Sequence, residues 1–502
     1  MRNLSKSKLI AYRQCPKRGW LEVHRPELRE DSDATQASFA VGNTVGDIAH
    51  QLYDQDGTGV LLDAQRDGFD VTFKRSLELL ASDQPIFEAG YSANGALAFA
   101  DVMMPDIVDG KRVWRMVEVK SSTGVKDYHR DDVAVQSYIA RSAGVPLASV
   151  ALAHINSSWV YPGEGDYRGL LEENDLTAEA FARFDEVREW IAAAHEVVAM
   201  KTEPEMKVGN QCATPFACGF FDYCQSKEHQ AEYPIHWLPS IRSNDLKEYI
   251  AAHPALDLRD LPDDLLNEQQ QRVKAHTSSG TVYFDAVGAA EALKSYQLPA
   301  YFLDFETIQF AVPIWKGTRP YQMIPFQFSL HTLDENGKLD SQAFLDLSGN
   351  DPSRTFAEKL TAVCGSSGPV YVYNAGFEGA RIRELAERYP EFATSLLAIN
   401  DRLVDLLPIT RANYYHPSQH GSWSIKAVLP AVAPDLSYEA LDGVKNGGMA
   451  MEAFEEAIHT TTSQRKAEIE QQLLVYCGLD TFAMVRLWQS PRVRIVVAPI
   501  GS

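Results

Sequence analysis

From residue 85 to residue 120 the chain alternates short apolar runs with turn dipeptides. Residues 85–91 and 96–103 flank Asn94-Gly95, and Asp109-Gly110 precedes 112–120. Both dipeptides favour the tight turn between antiparallel strands, so the pattern predicts three strands in succession. An amphipathic helix near 131–142 comes next, and SVALAHIN (149–156) reads as a nearly continuous buried strand. Upstream, Ser5 or Ser7 can cap a short helix through Leu9 and Ile10 that ends at Cys15, before a proline. A second upstream helix carries Gly42, Gly46 and His50 at intervals of four, on roughly one stripe. The glycines there let another backbone come close, and His50 projects beyond them. Residues 177–200 place Phe184, Val187, Ile191 and Val198 at helical spacing, a packing helix without chemistry.

Prolines and short helical stretches over 230–298 predict a small helical connector. Its piece LKEYIAAHPALDLRDLP lacks the glycine turn of a backbone-gripping hairpin and reads as spacer. A second alternation then begins. Residues 301–310 form a strongly apolar strand, and 323–331 and 342–347 flank Asn336-Gly337 as further antiparallel strands. A helix over 353–363, a strand at 369–373, a helix opening after Asn374 and a late helix complete the half.

At 502 residues the chain exceeds one core and calls for two or three domains. No apolar run is long enough to span a bilayer, and the first residues lack the hydrophobic block of a secretory signal; the expectation is a cytoplasmic protein with no membrane partner. The net charge of −21 opposes nucleic-acid binding in general. Two stretches run the other way: residues 1–30 hold eight Lys and Arg against three acids, and 111–130 hold six against two. They are either a phosphate track or a solvated charged face.

Three sets of residues carry chemistry. Cys212, Cys218 and Cys224 recur at intervals of six, and Cys15 is the candidate fourth thiol. In a reducing compartment such a set argues for metal rather than disulfides, while Cys364 and Cys477 read as small core residues. Glu118 and Lys120 lie two apart on one predicted strand, with Asp101 on its neighbour. A carboxylate and an ammonium on one face of an apolar strand bear a desolvation cost that a divalent-metal site explains: Asp101 and Glu118 hold Mg²⁺ or Mn²⁺, and Lys120 serves the attacking water. Asp304 and Glu306 likewise share one face of the strand over 301–310, and their mutual repulsion calls for a bound cation.

Asp101, then Glu118-Val119-Lys120, then Gln136 with Tyr138, resembles the PD-(D/E)XK nucleases of the RecB type. The helix ending in His50 is similar to the one whose histidine helps hold metal in that group. With Cys15 upstream and Cys212, Cys218 and Cys224 downstream, the resemblance narrows to the iron-sulfur branch, which includes AddB and CRISPR-associated exonucleases; it implies a [4Fe-4S] cluster on four thiolates. Zinc is the alternative, although the CxxC pairs usual in structural zinc sites are missing. In the second half, the strand DxE, the turn into a helix at Glu378, and Tyr476 with Asp480 on a late helix resemble the DEDD exonucleases of the ribonuclease H-like fold, tyrosine subclass. By that resemblance Asp304, Glu306, Glu378 and Asp480 bind two ions and Tyr476 orients water. The family usually has Asp where this chain has Glu378, whose extra length displaces one ion. Asp405 and Lys426 sit where such enzymes carry supporting residues, and His416 and His420 read as loop residues.

The expected architecture is α/β in two domains: a PD-(D/E)XK restriction-endonuclease-like domain over 1–229, the connector over 230–298, and a ribonuclease H-like domain over 299–502. The expected activity is metal-dependent hydrolysis of DNA or RNA, as an exonuclease on single strands, in repair, phage defence or RNA turnover. A nucleic-acid-binding or regulatory protein with inactive halves is the reading from another class.

Overall fold

Asn94, Gly95, Asp109 and Gly110 all take positive φ, at 52°, 81°, 51° and 71°, the backbone a two-residue hairpin turn requires. In the computed structural model, which describes residues 3–228, 231–253, 256–460 and 462–489, these turns join β3 (Ile86–Ala93), β4 (Ala96–Val108) and β5 (Lys111–Lys120) into an antiparallel meander. Before it come β1 (Leu4–Ser5), α1 (Lys6–Gln14), α2 (Pro16–His24), α3 (Asp33–Tyr53), β2 (Val60–Leu61), α4 (Ala64–Asp67) and α5 (Phe69–Leu79). After it come α6 (Asp127–Ser142), β6 (Leu147–Ile155), β7 (Leu171–Asp175), α7 (Thr177–Ala182), α8 (Phe184–Val198) and α9 (Phe221–Ser226). The sheet runs β2-β3-β4-β5-β6-β7, with β1 alongside β4, and β6 is parallel to β5. One face packs under α6 through Val133, Ala134, Ile139, Trp114, Met116 and Leu152; the other buries Phe87, Val102, Val117 and Ala153. The helix expected over 177–200 breaks at Arg183, which leaves helical geometry at ψ 9°.

The chain divides into two units, Met1–Glu228 with Gln309–Gln322, and His229–Ile308 with Met323–Ser502. The inclusion of 309–322 in the first unit was not expected. Its Ala311 and Val312 cluster with Val45 and Ile48 of α3, and the Tyr321 hydroxyl donates to the carbonyl of Ser121, the residue after β5. The expected boundary residues His229 and Gln230, and Arg2 of the basic stretch, lie outside the described residues.

The second unit contains α10 (Asn244–Ala252), α11 (Glu268–Ser279), β8 (Tyr283–Phe284), α12 (Ala286–Leu293), β9 (Ala300–Ile308), β10 (Ile324–Leu333), β11 (Leu339–Leu345), α13 (Ser353–Val363) and β12 (Val370–Val372). There follow α14 (Ala375–Arg388), α15 (Ala393–Asn400), β13 (Leu403–Asp405), α16 (Leu406–Asn413), β14 (Tyr414–Tyr415), α17 (Ile425–Val432), α18 (Gly447–His459) and α19 (Ser463–Gln489). Its main sheet runs β11-β10-β9-β12-β13; β9, β10 and β11 are antiparallel, and β12 and β13 run parallel to β9. The stretch expected as a spacer shares this unit's core: Leu238, Leu246, Leu258 and Leu261 pack with Tyr414, Tyr415 and Trp423, and β8 pairs with β14. Burial of these leucines, not the prolines between them, decides its placement.

Candidate functional site

In the first unit α3, β3, β4 and β5 line an open cleft into which Lys6, His50, Glu88, Asp101, Glu118 and Lys120 project. Glu118 is 1% exposed. One of its oxygens, Oε1, accepts from Lys120 Nζ at 2.6 Å and from Lys6 Nζ at 2.7 Å, while Oε2 is buried with no hydrogen-bond partner. Lys120 also donates to Asp132 at 2.6 Å. Asp101 accepts from the backbone of Val119 at 2.7 Å, and burial, then the neighbouring Glu118, holds its carboxyl well above the usual range. The two lysines pull Glu118 the opposite way, against its burial. His50 Nε2 is buried without a hydrogen bond, 4.0 Å from Glu88, and burial keeps the ring below its ordinary pKa, neutral as a metal ligand must be. Gly42 and Gly46 face open space, not another backbone; they line the cleft beside His50.

Glu88 and Lys6 escape a reading by motif. Glu88 sits at φ 56°, between the Phe87 and Ala89 pairs of the β3–β4 ladder. The register runs through it without a shift, and the positive φ turns its side chain into the cleft. An acid within the apolar IFEAGY was the available signal. Lys6 comes from α1 and had none.

Gln136 and Tyr138 do not join these groups. Gln136 donates to the carbonyl of Phe99, two residues before Asp101, at 2.8 Å; it steadies β4 and is absent from the cleft wall. The Tyr138 hydroxyl accepts from Asn94 at 2.9 Å and its ring meets Phe184 edge-on. Residues two apart on a helix point in different directions, so the expected catalytic role of Tyr138 is not met by its position.

Cys15, Cys212, Cys218 and Cys224 line one small space with Lys17, Arg18 and Phe220. Cys15 lies between α1 and α2, with Pro16 opening α2. The backbone N–H of Cys218 closes the loop onto Cys212 O at 2.8 Å, and Trp20, Leu21 and Phe220 form the apolar shell. Burial pushes the Cys218 thiol up and that of Cys224 to about 11, with Arg18 and Lys17 opposing. All-sulfur donors beside two cations suit a soft metal centre. Among the described residues, ligand atoms of Asp304, Glu306 and Cys477 lie within 4.8 Å of one another.

That compact set belongs to the second unit. Asp304 and Glu306 lie on β9, opposite Ser329 and Gln327 of β10; Asp480 and Tyr476 come from α19, and Glu378 from the first turn of α14. Glu306, Glu378 and Asp480 are 8%, 2% and 7% exposed. Burial, then neighbouring carboxylates, raises Asp304 well above its usual range and Glu306 to about 8; burial raises Glu378 to about 8 and Asp480 to about 6. Glu378 Oε2 is buried without a hydrogen bond. Lys426 is the cation that eases Glu306 and Asp480; its ammonium donates to the Tyr476 hydroxyl at 3.0 Å. Tyr438, a residue the sequence reading missed, donates to Asp480 at 2.6 Å. Asp405 accepts from the backbone of Asn374 and Ala375, fixing the turn that starts α14, with Asn374 itself at φ 103°. His416 and His420 lie in a loop, where His420 stacks on Trp237 at 3.8 Å.

No curated protein matches this chain. A family model described as a domain of unknown function, DUF2779, matches residues 301–424, which include Asp304, Glu306 and Glu378. No helix of the described residues is long and apolar enough to cross a membrane.

Proposed function

We propose that the protein is a divalent-metal-dependent nuclease of DNA or RNA, an exonuclease on single strands, with one site in each unit. The observation that carries this reading is the second-unit carboxylate cluster. Four acids, three of them under 10% exposed, converge, with Lys426 as the cation that eases two of them, Glu306 and Asp480. Buried anions of one sign are costly, and a pair of divalent ions offsets that cost. The ions, when bound, supply activated water and charge for the leaving oxygen. The Tyr476 hydroxyl, held by Lys426, is placed to orient that water. The order of three antiparallel strands followed by two parallel ones supports a ribonuclease H-like fold.

In the first unit, the helix, meander, helix and parallel strand support a PD-(D/E)XK fold of the RecB type. There Asp101, Glu118 and His50 are the metal donors, and Lys120, fixed between Glu118 and Asp132, faces the phosphate. The four thiols would hold a [4Fe-4S] cluster. Anaerobically purified protein is then brown, and stoichiometric zinc in a colourless protein would reverse the assignment.

The test uses labelled single strands with Mn²⁺, comparing wild type with Asp101→Ala/Glu118→Ala and with Asp304→Ala/Glu306→Ala. Each pair is expected to remove one component of cleavage. Cleavage unaffected by both pairs rejects the proposal, and binding without cleavage in the wild type returns the regulatory reading.

A further inference from the structure

Cys477 lies on α19, one residue after Tyr476 and three before Asp480, and is fully buried. Its Sγ stands 3.8 Å from Asp304 Oδ2 and 3.9 Å from Asp304 O. Ligand atoms of Asp304, Glu306 and Cys477 all fall within 4.8 Å of one another, the span of a single coordination sphere. A second observation points to a ligand at the same place: Glu378, 2% exposed, keeps Oε2 without a hydrogen-bond partner, and its charge acts on both Asp304 and Glu306.

Carboxylates alone make a hard site suited to Mg²⁺ or Mn²⁺. A sulfur among them changes the preference, because thiolate selects softer ions of the zinc class. We propose that Cys477 is a ligand for a thiophilic divalent cation, Zn²⁺ or Cd²⁺, and that the second-unit site captures such an ion in place of Mg²⁺ or Mn²⁺ and is arrested by it. On capture the S–H bond breaks, the sulfur keeps the electron pair as it bonds the ion, and the proton leaves to solvent. With Mg²⁺ or Mn²⁺ the thiol keeps its proton and takes no part. The inference rests on the metal reading of this site given above and adds its selectivity.

The experiment uses the full chain carrying Asp101→Ala/Glu118→Ala, so that the first site is silent, with Mn²⁺ bound and free Mn²⁺ followed by electron paramagnetic resonance. Zn²⁺ is added beyond the amount taken by the four-thiol centre, and the same is done after Cys477→Ser. The expected result is Mn²⁺ affinity alike in both, with Zn²⁺ displacing Mn²⁺ at about tenfold lower concentration or less when Cys477 is present. Equal displacement overturns the inference and leaves the metal site standing, as does loss of Mn²⁺ binding in the Cys477→Ser chain alone; failure of both folded chains to bind Mn²⁺ at the second unit counts against the metal reading itself. A crystal of the unmutated chain soaked in Zn²⁺ gives a check free of mutation. Anomalous density about 2.3 Å from Cys477 Sγ is expected, and zinc on the carboxylates alone, clear of the sulfur, overturns the proposal.

Discussion

At the scale of single residues the first site departs from its motif by two side chains. Glu88 reaches the cleft through a backbone at φ 56°, a conformation a non-glycine residue holds only where surrounding contacts impose it. Burial and the nearby Glu118 raise its carboxyl to about 7, so below that pH a metal must displace a proton to use it. Mn²⁺ affinity at the first site is therefore expected to rise with pH through about 7, and Glu88→Gln to flatten that rise in a calorimetric titration. Lys6 occupies the Glu118 oxygen that Lys120 also occupies; Lys6→Met should tighten Mn²⁺ binding there while lowering the turnover of the first site about tenfold. Tighter metal with unchanged turnover would make Lys6 a mere counter-ion. Neither residue could be read from the chain by spacing, since a positive-φ strand residue and a helix end place them, whereas Asp304 and Glu306 were legible because a strand's period of two fixes their common face. Tyr138 misled for the converse reason: the motif spacing of a known family carried it, and the helix period sends it to Asn94 instead of the cleft.

At the scale of elements α1 does the most with the least sequence. It is nine residues long, yet its first residue is Lys6 and the residue after its last is Cys15. Gln14 ties its end to the cysteine loop by donating to Gln211 O at 2.6 Å and Phe216 O at 2.8 Å. Loss of the thiol centre should loosen this helix and withdraw Lys6 from Glu118. Cys15→Ser is expected to speed hydrogen exchange over residues 6–14 and to depress first-site cleavage while second-site cleavage persists; unchanged exchange there would separate the two ends. In the second unit β9, α14 and α19 are held together around acids whose protons the fold retains. Below about pH 4.5 Glu306 and Glu378 are protonated folded or unfolded. Above it the unfolded chain ionises while the folded one holds its protons to about 8, so stability falls as pH rises through that window. In EDTA the melting temperature of this unit is expected to drop between pH 5 and pH 8, and Mn²⁺ to raise it more at pH 8 than at pH 5.5. A melting temperature that climbs with pH in EDTA would contradict the burial of these acids. The main strands were readable from turn dipeptides and apolar runs; the segment 309–322 was not, because its apolar residues pack against α3, far from it in sequence.

At the scale of the whole molecule the proposed activity raises the question of how a chain of net charge −21 would hold a polyanion. Among the described residues, the arginines of the two basic stretches already face carboxylates. Arg13 and Lys17 pair with Asp131 and Glu203, Arg25 with Glu27, and Arg29 with Glu22 and Asp31. Arg112, Arg115 and Arg130 pair with Asp83, Glu173 and Glu179. A cation already facing a carboxylate gives little counter-ion release when a phosphate arrives, since its own charge is matched beforehand. Attraction for the strand would then come from bound divalent ions and from Lys426, whose ammonium faces the Tyr476 hydroxyl and the Lys445 carbonyl, since Lys6 and Lys120 already face Glu118 and Asp132. Two consequences are measurable by fluorescence anisotropy with a labelled single strand. Binding should be lost in EDTA and restored by Ca²⁺, a hard ion that fills carboxylate sites. In Ca²⁺ the fall of log affinity with log monovalent salt should be shallow, less steep than about −3, because each phosphate neutralised by the protein contributes about −0.7 for a single strand. A steep slope that persists in EDTA would place the strand on a basic surface outside both carboxylate sites and would remove the electrostatic basis for reading them as where the strand binds.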